Sequence, residues 1–317
     1  MNTWRLLNTY EIAHIPESLE PLQSLADITT VPPRTELLRA RLPDHDAYLA
    51  GLPVRLTRDI IEACPRLKVV ATSSTGTDHL DMACLEERGI PVLSLKDDTV
   101  FLDRITCTAE MAWGLLLAVV RRLPWSFEAA KQGVWARDRY RGRQLAGMTL
   151  GILGYGRLGR IVACYGKAFR MRVLACDTRP VELAEGVERV DFETLLRQSD
   201  VLSLHIHLTP ENTGLIGREA FSKMKTGAYL LNTSRGAIID EAALLEALES
   251  GRLGGAGVDV IQGEWDPDLV NHPLIRYART HENLVISPHT GGLTIEAQRM
   301  TMTHTAEKLA RFMRERG

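Results

Sequence analysis

The segment Thr149–Gly159, TLGILGYGRLG, constrains this chain more than any other stretch. A short apolar run (Leu150, Gly151, Ile152, Leu153) leads into Gly154-Tyr155-Gly156-Arg157-Leu158-Gly159, and a second apolar run, Met171–Cys176, ends on Asp177. The order is strand, glycine turn, helix, strand, acid. The first glycine permits a tight turn, the second lets backbone approach a pyrophosphate, and the third lets helix and strand pack closely. The new helix N-terminus then turns N–H groups toward an anion. Glycines also mark ordinary turns, so the expectation rests on the strand before them and the acid after them. It predicts dinucleotide binding at Gly154, Gly156, Arg157, Leu158 and Gly159. At Asp177, a carboxylate accepts hydrogen bonds from ribose hydroxyls and repels a 2′-phosphate, which favours NAD over NADP. Arg179, two residues on, weighs the other way.

At 317 residues the chain has room for two domains. A net charge of −2 gives no reason to expect nucleic acid or an anionic membrane as partner. The longest apolar stretch, Met111–Val120, is too short to span a bilayer. The N-terminal residues lack a basic region followed by a long apolar core, so no secretory signal is expected. Cys64, Cys84, Cys107, Cys164 and Cys176 are odd in number and form no CxxC pair. They read as reduced thiols of a cytoplasmic protein, and no spacing suggests a metal site.

Residues 4–9, 27–30, 46–50, 68–73 and 91–95 read as short strands, with helical patches such as Arg58–Ala63 and Asp81–Arg88 between them. Thr106–Arg122 reads as one long helix, apolar on nearly every side, and therefore buried between domains or subunits. The polar, basic segment Gly133–Gly147 reads as a surface linker. From Met148 the rhythm resumes, with strands at 149–153, 172–176, 201–204, 228–231, 255–260 and 284–287. Asp240 suits a helix N-cap and Gly251 its stop. The helix Ile295–Arg314 follows the last strand and is expected to return to the first domain. The fold class is α/β, with two Rossmann-like, doubly wound parallel-sheet domains. Residues 105–290 form a nucleotide-binding domain inserted in a discontinuous substrate domain, 1–104 plus 291–317.

Three segments fall at carboxyl ends of predicted strands, where open parallel sheets place their ligands. In Asn232-Thr233-Ser234-Arg235-Gly236, Arg235 can hold a carboxylate bidentately or polarise a carbonyl, or it is an ordinary exposed turn arginine. In Gly257–Glu264, Asp259 and Glu264 emerge from a strand, and either could partner a base or be solvated. In Ser287-Pro288-His289-Thr290-Gly291-Gly292, His289 is a natural proton donor and acceptor, and a carboxylate beside it would favour its charged form. The bland alternative is a structural loop histidine. The other histidines (His14, His45, His79, His272, His281, His304) read as surface or loop residues. One cation, one acid–base group and one carboxylate are what hydride transfer to a keto acid requires of the protein, the cofactor carrying the hydride.

With these motifs in view, the chain resembles the D-isomer-specific 2-hydroxyacid dehydrogenase family over nearly its whole length. The carrying segments are Leu150–Gly159 with Asp177, His205–Thr209 followed by Asn212-Thr213, Asn232–Gly236, Gly257–Glu264 and Ser287–Gly292. The resemblance implies Arg235 as substrate-binding, carbonyl-polarising arginine, His289 as general acid–base and Glu264 as its carboxylate partner. It implies His205, Thr213, Thr233 and Asp259 on the cofactor, Asp259 near the nicotinamide carboxamide. It also implies that Ser74-Thr75-Gly76-Thr77-Asp78 holds the substrate carboxylate through the N–H groups of Thr75 and Gly76. The substrate is then a small 2-keto or 2-hydroxy acid. Separately, the buried-looking helix Thr106–Arg122, with Trp113 and Trp125 on or beside it, leads to the expectation of a homodimer. The alternative is a nucleotide-sensing protein similar to the family's transcriptional corepressors. Three positions depart from the family pattern: His207 stands where proline is frequent, Met111 where histidine is common, and Pro53 where phosphoglycerate-type relatives carry arginine. The last weakens a phosphorylated substrate. No regulatory domain is expected after the terminal helix.

Overall fold

In a computed structural model, which describes residues 3–316, the chain forms two compact units. One is Met1–Ile105 with Thr294–Gly317, the other Thr106–Leu293. The strands of the first are β1 (Trp4–Asn8), β2 (Ala26–Thr30), β3 (Ala47–Leu49), β4 (Val69–Ala71) and β5 (Val92–Leu93), ordered β2-β1-β3-β4-β5 and parallel throughout. Helices cover both faces, which is why the central strands are continuously apolar rather than alternating. Leu7, Tyr48 and Val70 face Leu38, Ile60, Ile61 and Leu85. On the other face, Leu6, Leu49, Val69 and Ala71 pack with Met302, Ala306, Leu309 and Met313 of the helix Ile295–Arg316. Thr75 and Gly76 lie in the loop after β4, where the Ser74 hydroxyl donates to the Gly76 carbonyl at 2.6 Å.

The second unit carries β6 (Thr149–Leu153), β7 (Arg172–Cys176), β8 (Val187–Arg189), β9 (Val201–Leu204), β10 (Ala228–Asn232), β11 (Leu253–Val258) and β12 (Leu284–Ile286). Their order is β12-β11-β10-β9-β6-β7-β8, again all parallel. The chain runs outward from β6 to β8, then returns to lay β9 on the other side of β6. A crevice opens at such a reversal, outside the carboxyl ends of the strands. Both sheets are of the doubly wound α/β kind that the sequence rhythm predicts.

Four local expectations change. The edge strand β8 is missing from the sequence reading, because only Val187 is partly covered, Glu188 and Arg189 are exposed, and the three carry no apolar alternation. It is held to β7 by backbone pairing and by a two-pronged contact of Arg172 with Glu188. The long helix runs Cys107–Val120, and its apolar surface is used inside its own unit: Leu115 lies against Gly257, Val119 against Gly255, and Trp113 meets Tyr165 and Phe169 edge-on. Arg122 does not extend that helix. It takes a left-handed backbone (φ 54°) and places its guanidinium 2.6 Å from Glu282. Among the histidines, His45 and His79 are buried, and His272 accepts the N–H of Leu274 at the start of the helix Pro273–Ala278. Among the described residues, no helix is long and apolar enough to cross a membrane.

Candidate active site

Every candidate residue of the second unit sits just beyond the carboxyl end of a strand or on the turns that follow. At β6 the chain has no space for side chains. Gly154 has φ +93°, and a Cβ there would lie 2.4 Å from the His205 carbonyl oxygen. At Gly159 a Cβ would lie 2.1 Å from the Gly154 carbonyl oxygen, so the first turn of the helix Arg157–Ala168 packs directly on the loop. Gly156 is different. Only the far end of the flexible Arg179 side chain comes near its Cβ position, at 3.5 Å. Nothing inside the protein requires a glycine at that point, whereas a pyrophosphate lying against the backbone would. Arg157 and Leu158 form the half-buried start of the helix.

Asp177 closes the nucleotide side. Its carboxylate accepts the N–H of Tyr155 at 2.8 Å and the N–H of Arg179 at 2.9 Å, together with two contacts from the Arg179 guanidinium. Burial alone would push its pKa up; the donors from Arg179 and Tyr155 outweigh that and hold it below the usual carboxylate range. At the end of β9, His205 Nε2 meets the Ser203 hydroxyl at 2.8 Å and its Nδ1 is buried without a hydrogen-bond partner among the described residues. Burial pushes its pKa down to about 4. At the end of β10, the Thr233 hydroxyl is likewise buried and orphaned. Orphaned buried polar atoms are uncommon, and one at each of two adjacent strand ends suits a ligand with polar groups of its own. The residues present therefore fit a dinucleotide. Thr213 is the exception: it is exposed, and its hydroxyl stays on the Thr209 carbonyl of its own turn at 3.1 Å.

The candidate catalytic residues follow β10, β11 and β12. Asn232 fixes the Arg235 turn by donating to the Arg235 carbonyl at 2.9 Å and accepting from the Ser234 N–H at 2.9 Å. The half-buried Arg235 guanidinium donates to the Ser234 carbonyl at 2.8 Å. His289 Nδ1 lies 2.6 Å from Glu264 Oε1, with both side chains mostly shielded (18% and 19% exposed). The second Glu264 oxygen is buried without a hydrogen-bond partner among the described residues. Trp265 lies beside this pair, its ring 6.1 Å from that of His289 at 28°.

His289 has φ 53°, a left-handed backbone that non-glycine residues rarely adopt. Asp259 holds it there. The buried Asp259 carboxylate accepts the Ser287 hydroxyl at 2.5 Å, the Thr290 N–H at 2.9 Å and the Gly291 N–H at 2.7 Å. Its own carbonyl accepts the His289 N–H at 2.8 Å. The structure thus gives Asp259 a bracing role that the sequence does not reveal. Met111 touches the same brace, its sulfur 3.8 Å from the Ser287 hydroxyl.

A second brace also escapes the sequence. Gly236 packs flush on the Ile261–Gln262 backbone, and Gln262 donates its side-chain amide to the Ile239 carbonyl at 3.0 Å and its N–H to Glu241 at 2.7 Å. Glu241 also faces His272 Nε2 at 3.2 Å, and burial pushes the Glu241 pKa up. The turn carrying Arg235 and the loop carrying Glu264 are thereby tied together. The only sequence signal is the acid directly after the Asp240 N-cap.

Two predictions follow from this geometry. Asp259→Asn presents a donor to two N–H groups that need an acceptor. It should lower stability by about 1–3 kcal/mol and speed hydrogen exchange at Thr290 and Gly291; unchanged exchange at both amides would refute the brace. For His205, the folded-state pKa of about 4 lies below the ordinary 6.5, so the unfolded chain takes up a proton that the native ring refuses. Its contribution is whole above about pH 6.5 and is lost as the pH falls toward 4. Urea unfolding across that window should show a shallower acid decline for His205→Gln, and parallel curves would contradict the assignment.

The chain is similar to known proteins over most of its length. The family model for the D-isomer specific 2-hydroxyacid dehydrogenase, NAD binding domain, matches residues 113–291. A hydroxypyruvate reductase of Thermotoga maritima is 36% identical over 276 residues, 87% of each chain. A D-3-phosphoglycerate dehydrogenase of Methanocaldococcus jannaschii is 36% identical over 91% of this chain, which spans only 53% of that longer protein. Among solved structures, D-lactate dehydrogenase from Aquifex aeolicus, complexed with NAD and lactic acid, superposes with a TM-score of 0.84 at 28% identity, covering 98% of this chain and 96% of that one. The chain belongs to the D-isomer-specific 2-hydroxyacid dehydrogenase family and is an NAD-dependent oxidoreductase of 2-hydroxy and 2-keto acids.

Proposed function

We propose that this chain interconverts a small, unphosphorylated 2-keto acid and its D-2-hydroxy acid, with Arg235, Glu264 and His289 as the catalytic set. The observation that carries the reading is the 2.6 Å contact of His289 Nδ1 with Glu264 on strand ends next to the Arg235 turn. Bound NADH supplies the hydride. With Glu264 accepting the Nδ1 proton, His289 Nε2 is the atom that delivers a proton to the nascent hydroxylate oxygen, and recovers it in oxidation. Arg235 polarises the carbonyl and takes the substrate carboxylate. The rigid backbone at Asp259 keeps the imidazole aimed. Gly154, Gly156 and Gly159 seat the pyrophosphate on the N-terminus of the helix Arg157–Ala168, and Asp177 accepts the ribose hydroxyls. Thr233 and His205 offer their orphaned polar atoms to the dinucleotide. Pro53, in place of an arginine, supports an unphosphorylated substrate, as does likeness to a hydroxypyruvate reductase. A cytoplasmic setting is supported by five free thiols, three of them buried.

NADH oxidation followed by nicotinamide absorbance against glyoxylate, hydroxypyruvate, pyruvate, phenylpyruvate, branched-chain keto acids and phosphohydroxypyruvate tests this. Turnover is expected with an unphosphorylated member, and His289→Asn should lower kcat by about 10²–10⁴-fold. Silence across the panel with NADH binding intact would overturn the reading in favour of a nucleotide-sensing protein. The proposal includes a homodimer, because Phe127 (61% exposed) and Trp135 (83%) leave large apolar surface uncovered. Sedimentation at micromolar protein should give twice the chain mass; a monomer alone would exclude it.

A further inference from the structure

An aspartate at the end of β7 excludes a 2′-phosphate only if its negative charge is free to act. In this chain it is not. Oδ1 of Asp177 accepts from the Arg179 N–H at 2.9 Å and from Arg179 Nε at 3.1 Å. Oδ2 accepts from the Tyr155 N–H at 2.8 Å and from the Arg179 terminal nitrogen at 3.1 Å. The carboxylate is sunk beneath its partner: the Asp177 side chain is 5% exposed and that of Arg179 is 65% exposed. An incoming nucleotide therefore meets the cation first. The guanidinium also reaches toward the phosphate loop, 3.5 Å from the place a Cβ on Gly156 would occupy.

We propose that the nucleotide site of this chain also accepts the 2′-phosphate of NADP(H), with Arg179 as the residue that binds it. The inference rests on the dinucleotide site described above. When the Arg179 side chain swings outward, Asp177 loses two of its four donors and keeps the N–H groups of Tyr155 and Arg179, so its charge stays hydrogen-bonded. The released guanidinium then grips a phosphate by two parallel N–H contacts. With NADH, the ribose hydroxyls reach Asp177 only after the same departure of Arg179. Both cofactors thus require one motion. The NADPH form gains a charged contact from it, and the NADH form gains the uncovered carboxylate. This is why discrimination between them should be small.

Titration of protein fluorescence with NADH and NADPH, without substrate, tests the inference. In the wild-type protein at low salt the two Kd values should lie within about tenfold of each other, and NADPH binding should weaken more with added salt. Arg179→Ala should raise the ratio of the NADPH to the NADH Kd by at least about tenfold, with Arg179→Lys between the two, because lysine keeps the charge and loses the fork. Competition by 2′,5′-ADP against ADP should show the same ordering. A wild-type preference for NADH above about 100-fold, or an equal change in both Kd values on Arg179→Ala, would overturn the proposal. If NADH binds and NADPH does not, this inference alone fails. If neither binds, the dinucleotide reading fails and this one with it.

Discussion

A single buried carboxylate organises the chemical end of this protein. Asp259 stands at the end of β11, and its oxygens take up a hydroxyl and two N–H groups from the segment that leaves β12. A carboxylate is the natural choice, since it accepts several hydrogen bonds and donates none. The backbone of His289 is left in a conformation that would relax elsewhere, and relaxation is blocked because the residues on both sides are already bonded. Strain at one residue persists only where its surroundings over-determine it. The imidazole is thus aimed by geometry two bonds removed from the ring.

The Arg235 side is fixed by different means. A glycine laid flat on the neighbouring loop, and the Gln262–Glu241–His272 chain of contacts, tie the turn after β10 to the loop after β11. Glu264 belongs to that loop and His289 to the next. The proposed catalytic groups Arg235, Glu264 and His289 are consequently held by contacts between adjacent strand ends, made by backbone and side chains together. Such a site is precise because parallel strands deliver their ends to one edge, and small residues let those ends touch.

Much of this was legible in the sequence. The glycine loop could be read because each of its glycines answers a different steric demand, and because the apolar runs on either side have strand length. Arg235 and His289 stand out as candidates because each follows an apolar strand and precedes a glycine-containing turn, whereas Glu264 is singled out from Asp259 only by the family resemblance. The two braces were not legible. Nothing local distinguishes Asp259 from a solvated loop acid, and Gln262 and Glu241 matter only through partners distant in sequence. The strand β8 was missed because an edge strand covered on one side needs little apolar character. The apolar surface of the expected helix Thr106–Arg122 points to burial, and Cys107–Val120 is largely buried, but periodicity says nothing of what buries it. In the structure that partner is the sheet of its own unit, whose Gly255 and Gly257 make room for it.

The position of the helix Ile295–Arg316 has a consequence for how the protein is made. It packs on the first sheet, against residues from Trp4 to Ala71, although the whole second unit is synthesised in between. As the chain leaves the ribosome, the first unit emerges early with one face of its sheet uncovered, and the second unit, continuous in sequence, can close by itself. Domains generally fold as units during synthesis, and exposed apolar surface is where such intermediates aggregate. The strands β1 to β4 therefore complete one face of their core only once the helix Ile295–Arg316 has been made.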